Sequence, residues 1–235
     1  MRVLRVLSLA LDLVTITGAL DGIDPASVRA AVLVLAALVG AVIVFVAAVL
    51  TAGCCNSGVQ ADADGKSGVE IGQAMPGFTM TDLKGVEHTL EQYKGKIVVL
   101  DFASQECPYS RATDPHLKKL HESYEEQGVV FLAIDSHATT TVEEIAAYAE
   151  EHELPFPILK DVDNAYADVT NAQRTPEIFI VDREGKLAYH GAFDDGRNPG
   201  EGDTPYVKNA IDALLAGNPV DPATSKAIGC TIKRK

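Results

Sequence analysis

Apolar residues are concentrated in one long run in the N-terminal part of the sequence. No charged side chain occurs between positions 30 and 61, and positions 30–50 contain only apolar or small residues. A helix of this length would measure about 30 Å at 1.5 Å per residue, which matches the hydrocarbon core of a bilayer. Because the run has no polar face, it is predicted to be a transmembrane helix or a signal segment rather than a buried helix of a soluble core.

The residues that follow this run resemble a bacterial lipobox. Positions 50–54, with the sequence LTAGC, place small residues before a cysteine, so Cys54 is predicted to be a lipid-attachment residue. The leader ahead of the run is long and acidic for a signal peptide, whereas a start at Val28 would give a short leader with Arg29 as its basic residue. A lipid anchor and an uncleaved membrane helix are therefore two alternatives.

Composition divides the chain into three parts. Residues 1–55 form the leader and anchor, residues 56–68 form a flexible linker of small and polar residues, and residues 69–235 form a globular domain. The arginines of the first part all lie on the N-terminal side of the apolar run. By the positive-inside rule, the globular domain is predicted to be anchored to the membrane and to face the periplasm or another extracytoplasmic space.

Within the globular domain, apolar runs of strand length alternate with segments of helical periodicity. The run at 96–102 is apolar on both faces, as in a central strand, and a capping box at 141–144 begins a helix. The other patterns predict hairpins at 78–90 and 178–190, strands near 129–134 and 157–159, and helices near 108–126, 163–170 and 205–216. This order predicts an α/β domain with a mixed central sheet.

Charge and composition narrow the class of function. The chain carries 33 acidic and 20 basic side chains, a net charge of −13, which argues against a nucleic-acid partner or a polybasic membrane-surface binder. Apolar residues make up 47% of the chain, so a folded core is expected rather than disorder. Four cysteines are too few for a disulfide-built scaffold, and the six histidines show no metal-ligand spacing, so neither metal nor cofactor is predicted.

The candidate chemistry centres on Cys107, which follows the predicted central strand and begins the next helix. At this place a sulfur meets free backbone N–H groups and the positive end of the helix dipole, and both favour the thiolate over the thiol. Pro108 suits the first helical turn, where its missing N–H has no cost. The position therefore predicts a reactive cysteine rather than an inert, packed one.

From about residue 73 onward, several motifs in fixed order resemble those of thioredoxin-fold redoxins. GQAMPGF at 72–78 resembles the entry to that domain, GKIVVLDFA at 95–103 resembles the strand before its redox cysteine, and TPEIFIVD at 175–182 resembles its cis-proline loop. This group includes alkyl hydroperoxide reductase/thiol-specific antioxidant (AhpC/TSA) proteins and membrane-tethered thiol–disulfide oxidoreductases. The resemblance implies a thioredoxin-like fold, with helices flanking the sheet, and redox activity at Cys107.

The resemblance also implies roles for individual residues. Asp101 occupies the position of a buried acid that assists proton transfer, and its pKa is expected to be raised by burial. Thr175 and Pro176 occupy the cis-proline loop, where the backbone before the proline pairs with an extended substrate. The residues that then line the substrate position beside the redox cysteine are Pro108, Tyr109 and Ser110.

Departures from the resemblance bear on the mechanism. Ser110 replaces the second cysteine of the usual C-x-x-C motif, so Cys107 has no neighbouring thiol to resolve a mixed disulfide. The peroxiredoxin pattern is met only in part, because Leu100 stands at its proline position and Pro176 stands where an arginine would hold the peroxide. Cys230, which follows a glycine near the C-terminal end of the sequence, is either a resolving cysteine or a bystander thiol.

Three functions are consistent with these residues. The favoured one is thiol–disulfide exchange through Cys107 on protein or small-molecule thiols and disulfides. The alternative is a thiol peroxidase that acts on peroxides, with Cys107 as the peroxidatic cysteine and Cys230 as the resolving cysteine. The third is a non-catalytic module that captures extended peptides at the cis-proline loop.

Overall fold

The computed structural model of the chain describes residues 68–235. The predicted membrane segment at 30–50, the predicted lipid-attachment residue Cys54 and all but the last position of the linker at 56–68 lie outside the described residues. Within residues 68–235, no helix is both long enough and apolar enough to cross a membrane. The described part begins one residue before the predicted globular domain.

The described residues form short β-strands and four α-helices. The strands are β1 (Thr79–Thr81), β2 (Glu87–Thr89), β3 (Ile97–Ala103), β4 (Val129–Asp135), β5 (Ile158–Lys160), β6 (Arg174–Thr175), β7 (Glu177–Val181), β8 (Leu187–Gly191) and β9 (Cys230–Thr231). The helices are α1 (Pro108–Tyr124), α2 (Val142–Glu151), α3 (Ala165–Thr170) and α4 (Tyr206–Leu215). Single turns of 3₁₀-helix lie at Glu91–Tyr93, Glu125–Gln127 and Val162–Asn164.

Five strands form the central sheet in the order β5-β4-β3-β7-β8. β3 pairs in parallel with β4, and β4 with β5, whereas β7 runs antiparallel to both β3 and β8. The register places Leu100 beside Leu132 on one side and beside Phe179 on the other. β3 is therefore the central strand, and its residues 97–102 are all buried, as its apolar sequence predicts.

Alternate side chains of β3 enter apolar clusters on opposite faces of the sheet. The face that receives Ile97 and Val99 is covered by α1, α2 and α4. The opposite face receives Val98 and Leu100, and it is covered by α3 and by Ile232 from the end of the sequence. Helices therefore cover both faces of the sheet, an arrangement that encloses its apolar strands.

The predicted α/β class, with a mixed central sheet and flanking helices, is confirmed. The predicted capping box is also present, because the Thr141 hydroxyl accepts from the Glu144 N–H while the Glu144 carboxylate accepts from the Thr141 N–H.

Two short strands that the sequence did not indicate, β6 and β9, pair with each other outside the central sheet. Glu177, which is separated from β6 by Pro176, pairs with Phe102 near the end of β3. Because Cys107 also follows the end of β3, the β6–β9 pair and this cysteine lie at the same end of the strands.

Candidate active site

Cys107 lies between β3 and α1, and it is the N-cap residue of that helix. Its backbone is extended, with φ of −92° and ψ of 117°, and its Sγ accepts a hydrogen bond from the Ser110 N–H at 3.5 Å. The Sγ also donates to the carbonyl oxygen of Thr175 at 2.8 Å. Pro108 occupies the first helical turn. The sulfur is therefore held at a helix N-terminus, and the Cys107 residue is 0% exposed.

Ser110, at the position of the missing second cysteine, holds the loop between β3 and α1. It is buried, and its Oγ accepts from the Ser104 N–H at 3.0 Å. The Ser104 hydroxyl in turn accepts from the Glu106 N–H at 3.2 Å. Of the three residues expected to line the substrate position, Pro108 is exposed and Tyr109 is partly exposed, whereas Ser110 is covered. The structure thus gives Ser110 a positioning contact within the loop rather than an open surface.

The second part of the site is the loop that joins β6 to β7. Its Thr175–Pro176 peptide bond is cis, as the resemblance of this loop implies. The buried carboxylate of Glu177 accepts hydrogen bonds from the N–H groups of Gln173 and Arg174, both at 2.7 Å. These bonds fix the backbone immediately before the residue whose carbonyl contacts the Cys107 sulfur.

Glu177 supports the site, and its sequence context did not predict this contact. Its carboxylate also pairs with His190 of β8 at 2.6 Å, and the His190 ring stacks on Phe179 with centroids 4.1 Å apart. A buried carboxylate needs partners of this kind to offset the loss of water. The available signal was one acidic residue at the start of the otherwise apolar strand EIFIV.

Cys230 reaches the site on β9. This strand runs antiparallel to β6, with Cys230 opposite Thr175 and Thr231 opposite Arg174. Cys230 therefore lies opposite the residue whose carbonyl accepts from the Cys107 sulfur, and both cysteines are free thiols. The structure therefore brings together two cysteines that are 123 residues apart in the sequence.

The two thiols shift each other's pKa in opposite directions. Burial acts to raise the pKa of Cys107, but hydrogen bonding with Cys230 and from the Ser110 N–H outweighs burial, so this pKa lies below its ordinary value. The pKa of Cys230 is raised to about 11 by burial, by its hydrogen bond to Cys107 and by the negative charge there. Of the two thiols, Cys107 is therefore the one that ionises first.

Asp101 and Asp114 are two buried acids behind the cysteine. Asp101 on β3 is 3% exposed, and neither of its carboxylate oxygens has a hydrogen-bond partner among the described residues. Burial, and then the charges of Asp114 and Cys107, raise the pKa of Asp101 well above its ordinary value. Burial also raises the pKa of Asp114, although its carboxylate accepts from the Tyr148 hydroxyl at 2.6 Å. The sequence predicted the buried acid at Asp101 but not its neighbour Asp114.

The strand order of the sheet and a cysteine that caps the helix after its central strand, against a cis-proline loop, define the thioredoxin-like class of redox proteins. Comparison with known proteins then gives the family. Residues 71–190, which make up more than half of the chain, match the AhpC/TSA family. The chain belongs to this family, and it is an oxidoreductase.

Individual relatives support this assignment. Thiol-disulfide oxidoreductase ResA from Geobacillus kaustophilus (strain HTA426) is 34% identical over 123 residues, which cover 52% of this chain and 69% of the relative. Thioredoxin-like protein YneN from Bacillus subtilis (strain 168) is 31% identical over 120 residues, which cover 51% and 70%.

Solved structures agree with the fold. The crystal structure of an uncharacterized conserved protein from Geobacillus kaustophilus has a TM-score of 0.66 and 34% identity, and the match covers 71% of this chain and 93% of that one. The crystal structure of a hypothetical protein from Sinorhizobium meliloti 1021 has a TM-score of 0.65 and 32% identity, and the match covers 71% and 96%.

Proposed function

We propose that this protein is a thiol–disulfide oxidoreductase in which Cys107 and Cys230 act as one redox pair. The observation that carries the proposal is the pairing of β9 with β6, which sets Cys230 opposite Thr175, the residue whose carbonyl accepts from the Cys107 sulfur. Relatives named thiol-disulfide oxidoreductase ResA support the same class of reaction. The pair replaces the C-x-x-C motif, whose second position is Ser110 in this chain.

The exchange takes place in two steps. First, the Cys107 thiolate attacks one sulfur of a substrate disulfide, a mixed disulfide forms, and the other substrate sulfur leaves as a thiolate that takes a proton from water. Second, Cys230 loses its proton and attacks the Cys107 Sγ, which forms the Cys107–Cys230 disulfide and releases the second substrate thiol. Two electrons pass from the protein thiols to the substrate disulfide, and the reverse sequence oxidises a substrate dithiol.

Asp101 takes part in the proton balance of this exchange. The negative charge on Cys107 is one of the causes that raise the pKa of Asp101. When Cys107 enters a disulfide, that charge disappears and the pKa of Asp101 falls. The carboxyl therefore holds its proton while Cys107 is a thiolate, and it releases the proton more readily once the sulfur is bonded.

The substrate meets the protein at the cis-proline loop and at the start of α1. Thr175 and Pro176, which are buried in this structure, form one side of this surface, and the exposed Pro108 and the partly exposed Tyr109 form the other. Ser110 supports the loop from inside through its bond with the Ser104 N–H. Protein or small-molecule disulfides and thiols are the proposed partners.

A thiol peroxidase is the second candidate, because the same pair of cysteines and the AhpC/TSA family assignment are compatible with it. In that cycle the Cys107 thiolate attacks a peroxide, an alcohol or water leaves, and the resulting sulfenic acid reacts with Cys230 to give the disulfide and water. Pro176 occupies the place of the peroxide-binding arginine. The guanidinium of the nearby Arg174 instead donates to the Gly229 carbonyl at 3.1 Å. Disulfide exchange is therefore the favoured reaction.

We also propose that the domain at 69–235 is tethered outside the cytoplasm by the leader at 1–55 and the linker at 56–68. The apolar run at 30–50, the arginines on its N-terminal side and the lipobox at Cys54 support this arrangement. Protease added to spheroplasts, whose outer layers have been removed, should cleave the domain, and mass spectrometry of the N-terminus should find either a lipid on Cys54 or an uncleaved leader. Protection of the domain from protease would contradict the proposed location.

Trapping of the exchange intermediates tests the proposed function. The full chain with Cys54→Ser and Cys55→Ser keeps only the thiols of Cys107 and Cys230. It is solubilised in detergent, reacted with a peptide disulfide and quenched with acid. Non-reducing peptide mapping should then find a Cys107–Cys230 link. With Cys230→Ser, the reaction should stop at a mixed disulfide on Cys107, and with Cys107→Ser no adduct should form. Unchanged turnover of the Cys230→Ser protein would overturn the proposal, and a link that peroxide forms faster than the disulfide does would favour the peroxidase.

A further inference from the structure

Cys107 is fully covered in the reduced structure, although the proposed function requires its sulfur to reach a substrate. The residue is 0% exposed, its Sγ donates to the Thr175 carbonyl, and β9 places Cys230 opposite Thr175. Exchange requires direct approach of a second sulfur to this atom. One of the covering groups must therefore move before any substrate can react.

β9 is the covering element that can leave with the least disruption. Thr175 belongs to a loop that the buried Glu177 carboxylate holds at the start of β7, a strand of the central sheet. β9, in contrast, contributes a ladder of two residues outside the central sheet. After this ladder the Ile232 N–H donates to the Gln173 carbonyl at 3.0 Å, and the Ile232 side chain is 2% exposed. The strand is therefore docked on the domain without being part of its core sheet.

Surface ion pairs fasten the residues that follow β9. The pairs are Lys233–Glu106 at 2.6 Å, Arg234–Asp168 at 2.8 Å and Lys235–Asp163. Each pair includes at least one side chain that is more than half exposed. Ion pairs of this kind contribute little individually and weaken as salt screens them. Hydrogen bonds also hold this segment, among them the Ala138 N–H to the Lys233 carbonyl at 2.8 Å and the Lys235 N–H to Asn164 at 3.2 Å. The ion-pair part of the attachment is sensitive to ionic strength.

Gly229 allows β9 to lie this close to the cis-proline loop. A Cβ at this position would overlap the Thr175 carbonyl oxygen and would lie 3.0 Å from the Pro176 nitrogen. The backbone of the loop would have to shift to admit any side chain. A side chain at position 229 is therefore expected to lift β9 away from β6 while it leaves Cys230 in the sequence.

We propose that residues 229–235 occupy the edge of β6 with which a protein substrate pairs, and that a protein substrate reacts only after it has displaced them. This inference rests on the proposed function. When the segment undocks, Cys107 and the edge of β6 become accessible together, and an extended segment of another protein pairs with Thr175. Once the mixed disulfide has formed, redocking returns Cys230 to Cys107, and the attack of Cys230 displaces the product.

The docked segment also defines the class of polypeptide that fits. It places a cysteine opposite Thr175, a glycine immediately before that cysteine, and a large buried apolar side chain, Ile232, two positions after it. The preferred substrates are therefore cysteines in extended protein segments with glycine before the cysteine and an apolar residue two positions beyond it. A small-molecule disulfide offers no strand that competes with β9, and it is expected to react more slowly.

Labelling of Cys107 tests the occupancy of the edge. In the full chain with Cys54→Ser, Cys55→Ser and Cys230→Ser, Cys107 is the one remaining thiol, and its reaction with a bulky maleimide reports how often the segment undocks. Addition of Gly229→Ala should raise the labelling rate about tenfold or more, because local opening controls access. Gly77→Ala is the matched control, since a Cβ there has nothing within 4 Å and the rate should not change. Equal rates for the two alanine variants would overturn the proposal.

Two further measurements do not depend on the folding of the Gly229→Ala variant. In the parent with Gly229, high salt should speed labelling, because it screens the ion pairs that hold the segment. A synthetic octapeptide of residues 228–235 with serine in place of the cysteine should slow labelling of the Gly229→Ala variant, whereas the same peptide with alanine in place of the glycine should not. Labelling that neither salt nor peptide alters would contradict the inference. Because position 230 is serine throughout, these results are independent of whether Cys230 resolves the mixed disulfide.

Discussion

Replacement of Asp101 by asparagine is predicted to stabilise the domain at neutral pH. The carboxyl lies on the buried central strand, without a hydrogen-bond partner among the described residues. Burial, and then the charges of Asp114 and Cys107, raise its pKa well above the ordinary value of 3.8. In the unfolded chain the same carboxyl ionises near that ordinary value. Between the two pKa values the folded state therefore holds a proton that the unfolded state has lost.

The sign of the pH dependence follows from this difference in bound protons. Because the folded state binds more protons in this window, the free energy of unfolding falls as the pH rises from 3.8 to the folded pKa, and the contribution is constant on either side. Each pH unit within the window costs about 1.4 kcal/mol, or roughly 3–6 °C in Tm for a domain of this size. Asparagine cannot ionise, so the free energy of unfolding of the Asp101→Asn variant does not fall in this way as the pH rises.

Thermal unfolding followed by circular dichroism measures this difference. The full chain in detergent is kept reduced with a phosphine, and Tm is recorded for both proteins from about pH 4 to about pH 8. The Tm of Asp101→Asn should move above that of the parent as the pH rises. Glu122→Gln, at an exposed position of α1, is the charge-matched control and should follow the parent at every pH. A Tm difference between Asp101→Asn and the parent that stays constant over this range would refute the reasoning.

Two other predictions concern the cysteine pair and the cis-proline loop. The alkylation rate of Cys107 should have a pH midpoint below about 8.5. Cys230→Ala should raise that midpoint, because it removes a hydrogen bond that lowers the pKa of Cys107. A parent midpoint at or above about 8.5 would contradict the assignment of Cys107 as the reactive thiolate. Glu177→Ala should lower the free energy of unfolding by about 2 kcal/mol, because it leaves two backbone N–H groups unpaired. Urea unfolding measures this change, and an unaltered midpoint would show that the loop is held by other contacts.

The elements that the sequence predicted correctly are those whose signal is local. β3 is a continuous apolar run because it is buried on both faces, and α2 begins at a capping box that four consecutive residues encode. Cys107 and Asp101 could be placed because each has a fixed position relative to β3. Their environment in the fold is then set by the strand and by the helix that follows it.

The elements that the sequence did not predict are held by distant partners. β6 and β9 are two residues long, and neither shows an alternating pattern that would mark it as a strand. Each exists because the other supplies its hydrogen bonds, so no local window contains the information. The support that Glu177 gives to the loop is of the same kind, since its pairing with His190 depends on the packing of β7 against β8.

Under the proposed function, Cys107 and Cys230 separate two tasks that a C-x-x-C motif assigns to neighbouring residues. The position of the second thiol is used by Ser110 to hold the loop, and the second thiol is instead delivered by a strand outside the central sheet. The pKa of Cys230, about 11, is raised partly by its hydrogen bond to Cys107 and by the charge there, so Cys230 stays protonated while Cys107 is a thiolate. Under the proposed function, a mixed disulfide at Cys107 removes that charge. The pKa of Cys230 then falls, so its thiolate forms more readily at the step in which it must attack. Before that step Cys230 stays protonated and does not compete with Cys107 for the substrate disulfide.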